Sequence, residues 1–247
     1  MPLITTEAFV LRSYKLAEND KIVVLFTRDQ GKVRLVAKGA RKVKNRFGAA
    51  LEVFARLRIM YHEKPNRDLQ TLDRAEILYS PFEKQRKLRT SSYLFYFAEL
   101  VHEFYPDQER NLRAFKILLS IEKAIRNQQN LDYLARYVEL QLLHSQGILS
   151  SVLFCSQCSR PFESLQERRY LGSGIEIHCK RCRSEESVLL PPRLVHSIYR
   201  FEKGETEWAA GLEGGVVDEL GSLNHLLITR FLGKELHSYR IHKQLDV

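Results

Sequence analysis

All four cysteines of the chain fall into one pattern: Cys155-x2-Cys158, a gap of 20 residues, then Cys179-x2-Cys182. Two CxxC turns can present four thiolates to one tetrahedral ion, which is the spacing of a zinc ribbon. Backbone N–H groups in such turns stabilise the thiolates. Two disulfides, or four reduced thiols, would use the same residues. Disulfides are disfavoured in a chain without a secretory signature, and the use of every cysteine argues against chance. The spacing therefore predicts one zinc ion held by Cys155, Cys158, Cys179 and Cys182. Four thiolates fill the coordination shell and leave no place for an activated water, so the predicted site is structural. His178 is a spare ligand that four cysteines do not need. Residues 150–190 hold 6 basic and 5 acidic side chains, nearly neutral, although Lys180, Arg181 and Arg183 cluster at the second CxxC turn. A direct role of that cluster on nucleic acid stays open.

The second candidate is a charge pattern. Lys32–Arg46, KVRLVAKGARKVKNR, holds 7 Lys or Arg and no Asp or Glu. Its first half alternates, with Val33, Leu35 and Ala37 on one side and Lys32, Arg34 and Lys38 on the other. Period two marks a half-buried strand, so one face joins a core and the other is cationic. From Gly39 the alternation stops but the charge continues, as in a loop leaving the strand. Such a surface suits a polyphosphate; the alternative is a solvated strand that uses Lys and Arg for solubility. The nucleic-acid reading makes Lys32, Arg34, Lys38, Arg41, Lys42, Lys44 and Arg46 phosphate contacts. Arg56 and Arg58, on the next strand, are further candidates. Phe47 and Phe54 are candidate stacking platforms, or else packing residues of a barrel.

Bond-making chemistry has no comparable signature. Gly233-Lys234 is followed by Glu235 and lacks the upstream glycine of a P-loop. His102-Glu103 opens like HExxH, but Pro106 stands where the second histidine is required. No GxSxG occurs. Glu185-Glu186 and Asp218-Glu219 read as solvated charges. The chain is accordingly expected not to be an enzyme. A metal-dependent nuclease assembled from scattered acids, with the barrel as anchor, is the alternative.

Net charge is +9, and +7 of it lies in residues 1–80. An anionic partner is therefore expected at the N-terminal third. Membrane-binding segments combine charge with an amphipathic helix; here the charge is on strand and loop, so nucleic acid is favoured and no membrane partner is expected. No apolar run is long enough to span a bilayer, and the N-terminus lacks the basic and apolar regions of a signal peptide. A cytoplasmic location, at the nucleoid, is the expectation.

Five strands are predicted to carry the basic stretch: Glu7–Tyr14, Lys21–Thr27, Lys32–Lys38, Glu52–His62 and one within Leu69–Tyr79. In the fourth, Val53, Ala55, Leu57, Ile59 and Tyr61 are expected inward, and Phe54, Arg56, Arg58 and Met60 outward. Arg28-Asp-Gln-Gly31 and Pro65-Asn-Arg-Asp68 read as turns. Five short strands without long helices fit a small closed barrel of the OB type, whose strand 2–3 face binds oligonucleotides; an SH3-like barrel has a similar strand count. Ser80-Pro-Phe-Glu83 has the form of a capping box with Pro at the first helical position. Helices are predicted around Leu94–Phe104, over Leu112–Asn127, from Leu131 to a stop at Gly147, from Pro191-Pro192 to Lys203, and over Val216–Leu236. In the last, Leu220, Leu223, Leu227 and Phe231 share a face. The expected class is α+β: residues 1–80 an OB-fold DNA-binding domain, 81–149 and 191–247 a helical domain, and 150–190 an inserted four-cysteine zinc module.

The N-terminal residues also resemble a known family. The E-A-x-V-L-R opening, the D-K-I-V-x-L-F-T-R-x-x-G-K strand pair and the V-A-K-G-A-R-K…R-F-G-A-x-L segment are similar to bacterial RecO, a recombination mediator family. These motifs cover the first 55 residues; beyond them the resemblance is one of layout, barrel then helices then CxxC…CxxC. Some members lack the cysteines, which implies a stabilising role for the module. The resemblance implies binding of single- and double-stranded DNA and annealing of complementary strands. It implies association with RecR, contact with the acidic C-terminal tail of single-strand-binding protein, and loading of RecA onto strands which that protein covers.

Overall fold

The computed structural model describes residues 2–63, 68–82, 87–173, 175–204, 212 and 214–245. The chain divides into two compact units, one of residues 1–127 with 236–247 and one of residues 128–235.

In the first unit, β1 (Leu3–Lys15), β2 (Lys21–Thr27), β3 (Gly31–Ala37), β4 (Arg56–His62) and β5 (Leu69–Tyr79) close into a barrel of order β1-β2-β3-β5-β4. β3 pairs with β5 in parallel, Leu35 opposite Gln70, and β4 closes on β1 with Ala8 opposite Leu57. This connectivity is of the OB type, and closure leaves no open sheet edge. Ala8, Val10, Val23, Leu25, Val33, Leu35, Leu57, Ile59 and Leu72 fill the barrel. Alternation and burial thus agree over most strand positions. Gly31 takes φ +67°, as the β2–β3 turn requires, and a Cβ there would lie 1.9 Å from the Glu109 carbonyl oxygen. Only glycine meets both conditions.

β4 begins at Arg56 and not at Glu52. The preceding Phe54 has φ +68° and is fully buried, so its expected outward exposure is overturned. Its ring lies 5.4 Å from that of Phe9, which in turn lies 5.5 Å from Phe115. Phe54 belongs to the layer between the outside of the barrel and a helix.

Those helices are α1 (Leu88–Phe104), α2 (Leu112–Arg126) and the C-terminal α6 (His237–Leu245). Asn111 caps α2 by accepting from the Ala114 N–H at 3.0 Å. The Ser80 hydroxyl accepts from the Phe82 N–H at 3.3 Å; Glu83 of the expected capping box, and residues 65–67 of the expected turn, lie outside the described residues. Pro106 follows the end of α1, as expected.

The second unit holds α3 (Leu131–Ser145), the small strands β6 (Tyr170–Leu171), β7 (Ile177–His178) and β8 (Val188–Leu189), α4 (Pro192–Glu202) and α5 (Gly214–Leu232). Gly147 (φ +67°) stops α3. The expected helix to Leu236 stops instead at Leu232, where Gly233 also takes φ +67°. Phe231, expected on its apolar face, is exposed. The chain then forms α6, a helix absent from the sequence-based expectation. Buried Glu139 joins α3 to α5, accepting from Arg136 at 2.7 Å and from the Asn224 amide at 3.0 Å.

Candidate nucleic-acid interface and candidate metal centre

The long connection from β3 to β4 is wired, not loose. The Asn45 carboxamide accepts from the N–H groups of Phe47 and Gly48 at 3.0 and 2.7 Å, an Asx-type turn. Phe47, Ala50 and Leu51 then plug the barrel. Phe47 is therefore a core residue, and its exposed candidate role as a stacking platform is overturned together with that of Phe54. The start of the connection is tied to the β1–β2 turn. Gly39 donates to Asp20 Oδ1 at 2.7 Å and the Arg41 N–H to the Asn19 carbonyl at 3.0 Å. The Arg41 guanidinium donates to the carbonyls of Ala17 and Glu18 at 3.1 and 2.6 Å.

The expected phosphate contacts separate into three groups. Lys38, Lys42 and Lys44 are exposed, and among the described residues none meets a carboxylate. Arg34, Arg41, Arg46 and Arg58 are exposed but engaged. Arg34 pairs with Asp107 at 2.8 Å and Arg58 with Glu76 at 3.0 Å. Arg46 donates to the Leu72 carbonyl at 3.3 Å and lies over the Phe47 ring at 4.9 Å. Lys32 and Arg56 turn away from solvent. The Lys32 side chain is 7% exposed, with Nζ 3.0 Å from Asp107 and 2.7 Å from the His102 carbonyl that accepts from it. Its expected place on an open cationic face is corrected: residues 105–108 cover the start of β3, where the Gln108 N–H donates to the Lys32 carbonyl at 2.9 Å. Arg56 is clamped between Glu122 at 2.8 Å and Glu7 at 3.1 Å. Burial opposes its charge, and the two carboxylates hold its pKa above the ordinary value.

Three basic or aromatic positions near the same barrel end were not singled out by the sequence. Lys15 stands opposite Lys21, and Lys21 opposite Ala37, immediately before Lys38. Tyr14, one residue earlier, is 45% exposed.

In the second unit the four cysteine Sγ atoms lie within 4.8 Å of one another. A tetrahedral zinc with Zn–S bonds of about 2.3 Å sets its sulfurs about 3.8 Å apart, so four converging thiols at this spacing fit the ion. Among the described residues they are the one group of three or more His, Cys, Asp or Glu arranged to hold a metal. The first turn closes with Ser159 N–H donating to the Cys155 carbonyl at 2.9 Å, the second with Cys182 N–H donating to that of Cys179 at 3.1 Å. The Cys179 N–H donates to Cys155 Sγ at 3.4 Å, linking the turns. Burial opposes ionisation of Cys155, but N–H donors from Cys158, Cys179 and Gln157 bring its thiol down to about 6. Cys182 is pushed up to about 12, first by its contact with Cys158 and then by burial and the other two sulfurs. Four thiols so close cannot all ionise unaided; a divalent cation removes that conflict. His178 stands beside Gly172 rather than among the sulfurs.

Arg169 supports this unit from inside and has no sequence signature. It is 1% exposed. It donates to the carbonyls of Val152, Ser164, Leu165 and Glu167 at 2.6–3.2 Å. Its guanidinium lies 4.2 Å from the Phe162 ring centroid. One buried cation thus organises the segment that precedes β6, with its donors satisfied by backbone.

The first unit thus holds an OB-type barrel with a basic connection, and the second holds helices and a four-thiol centre. Residues 1–81 match the family described as Recombination protein O N terminal, and residues 85–240 match Recombination protein O C terminal. The chain belongs to the RecO family of DNA repair proteins. It is similar to the DNA repair protein RecO of Geobacter metallireducens, 36% identical over 177 residues, 72% of this chain and 71% of that protein. It is 32% identical to that of Koribacter versatilis over 165 residues, 67% of this chain and 66% of the relative. The similarity to that of Halalkalibacterium halodurans, 27% identical, extends over 97% of this chain and 94% of that protein. Among the described residues no helix is long and apolar enough to cross a membrane.

Proposed function

We propose that this chain is a non-enzymatic recombination mediator. It binds single- and double-stranded DNA, anneals complementary strands, and helps to load RecA onto strands covered by single-strand-binding protein. RecR and the acidic tail of that protein are the proposed partners, and the nucleoid the proposed location. One observation carries the reading. Lys38, Lys42 and Lys44 stand exposed, without a carboxylate partner among the described residues, on the connection at one end of an OB-type barrel, in a chain of the RecO family. Lys15 and Lys21 add charge at the same end. Neutralising phosphates on two strands lowers their mutual repulsion, and this requires no bond chemistry. Lys32 and Arg56 are left out of the contact set because each already holds structural partners. The four cysteines would hold one zinc ion, which when bound cross-links the two CxxC turns.

The test is Lys38→Ala/Lys42→Ala/Lys44→Ala. If each lysine neutralises one phosphate, the slope of log K against log[salt] on single strands falls by about 2 units. Annealing rates without added divalent metal fall with it. An unchanged slope and unchanged annealing in the folded variant would sink the reading.

A further inference from the structure

We propose that Tyr14 is a base-stacking platform and the source of single-strand selectivity at this barrel end, an inference that rests on the reading of the barrel as a DNA-binding surface. Strict alternation from Ala8 and Val10, both buried in the barrel core, would send residue 14 inward. The β1–β2 register slips between Val10 and Arg12, a bulge that leaves Leu11 as the extra residue. Bulges re-aim the side chains that follow them. After this one Ser13 pairs with Val23, on the inward side, and Tyr14 with Ile22. Ile22 pairs in turn with Val36. Tyr14, Ile22 and Val36 thus form one row across the outer face of three strands, exposed at Tyr14 and half-buried at the other two.

Cations surround this row. Lys15 follows Tyr14, Lys21 precedes Ile22, and Lys38 lies two residues beyond Val36. The pinning of Arg41 to Ala17 and Glu18 holds the β1–β2 turn beside the basic connection. Ammonium groups set to hold a backbone, next to an accessible ring, are what an unstacked strand requires. The aromatic residues of the β3–β4 connection, Phe47 and Phe54, are 4% and 0% exposed and offer no ring to a base. A base on Tyr14 would be held by its face, and its pairing edge would stay open to a complementary strand. In a duplex the base faces are occupied by stacking, so Tyr14 gains nothing there.

The experiment uses the full chain, with Tyr14→Ala and Tyr14→Phe, and three probes of equal length: oligo-dT, an abasic strand and a duplex. The expected result is that Tyr14→Ala weakens oligo-dT binding about tenfold, leaves the abasic strand and duplex within about twofold, and leaves the salt slope unchanged. Tyr14→Phe keeps wild-type affinity. Tyr14→Ala binding oligo-dT like wild type, or losing all three probes equally, overturns the proposal. The triple lysine variant separates the two readings. If it loses the abasic strand while Tyr14→Ala keeps oligo-dT, the interface stands and the stacking role falls. If it binds the abasic strand like wild type, the interface is misplaced and the stacking role falls with it.

Discussion

Lys32 Nζ lies 2.7 Å from the carbonyl oxygen of His102, in the last turn of α1. The carbonyl end of a helix carries partial negative charge and unsatisfied acceptors. A lysine on β3 thus meets the acceptor end of the helix laid over it, with Asp107 completing its shell. An alternating strand pattern says that Lys32 points out of the barrel; it does not say that a helix terminus is waiting there.

Lys32→Ala should therefore act on stability and not on DNA. Losing a charge-assisted hydrogen bond in a nearly buried place costs about 1–3 kcal/mol. Urea unfolding followed by circular dichroism measures this. The salt slope of DNA binding should stay within experimental error of wild type. A normal midpoint with a flattened slope would return Lys32 to the phosphate contacts.

What the sequence made legible divides along the same line. Local signals held: β2 spans Lys21–Thr27 as read, Gly31 and Gly147 take the positive φ expected of them, and the cysteine spacing converges on one point. Lys32, Phe54 and Tyr14 were misplaced or overlooked because their environment depends on contacts that local spacing does not encode. The first two lie under helices, and the third follows a bulge. Arg169 shows a further blind spot: a charged residue in a polar stretch reads as surface, whereas four backbone carbonyls bury it. The end of α5 was read four residues late, at Leu236, because Leu232 and Leu236 keep the apolar period across Gly233, and α6 was not read at all.

Arg41 is expected to work as a pin. Its guanidinium already serves two carbonyls of the β1–β2 turn. Arg41→Ala should loosen the junction, so that hydrogen exchange at the Gly39 and Arg41 amides speeds up. Single-strand affinity should fall while the salt slope drops by less than the roughly 0.7 units of a full phosphate contact. Arg41→Lys should not restore protection, because a single ammonium lacks the planar fork that spans both carbonyls. Full restoration by lysine would mean that charge alone matters here.

Cys158→Ser tests the metal centre. Cys158 is exposed, so the substitution removes a ligand with little change in packing. Structural zinc in small peptides contributes about 10–16 kcal/mol of apparent binding energy, and a three-thiol site loses much of it. Protein made under reducing, zinc-replete conditions should carry about one zinc per wild-type chain and clearly less in the variant. Protease sensitivity should rise within residues 150–190, while oligonucleotide binding by the barrel persists. Wild-type protein free of zinc, or a folded variant that no longer binds DNA, would contradict this assignment.

His102 makes the pH prediction. Burial, followed by the charges of Lys32 and Arg12, lowers its pKa to about 4; Glu103 and Asp107 only partly offset this. An unfolded chain restores an ordinary value near 6.5. As pH falls below about 6.5 the unfolded state takes up the proton first, so stability falls with pH. The loss continues to about pH 4, where the folded protein is protonated too, and then levels off. Above pH 6.5 the contribution is fully present. Carboxylates titrate in part of this range, so the useful quantity is the difference in melting temperature between wild type and His102→Gln, measured from pH 8 to pH 4. Wild type should lose ground to the variant as pH drops through that window. In a Lys32→Ala background the effect should shrink, because one of the cations that disfavours imidazolium is gone. A difference that does not change with pH would mean that His102 is solvated and that the contact between β3 and the end of α1 is looser than the Lys32 geometry requires.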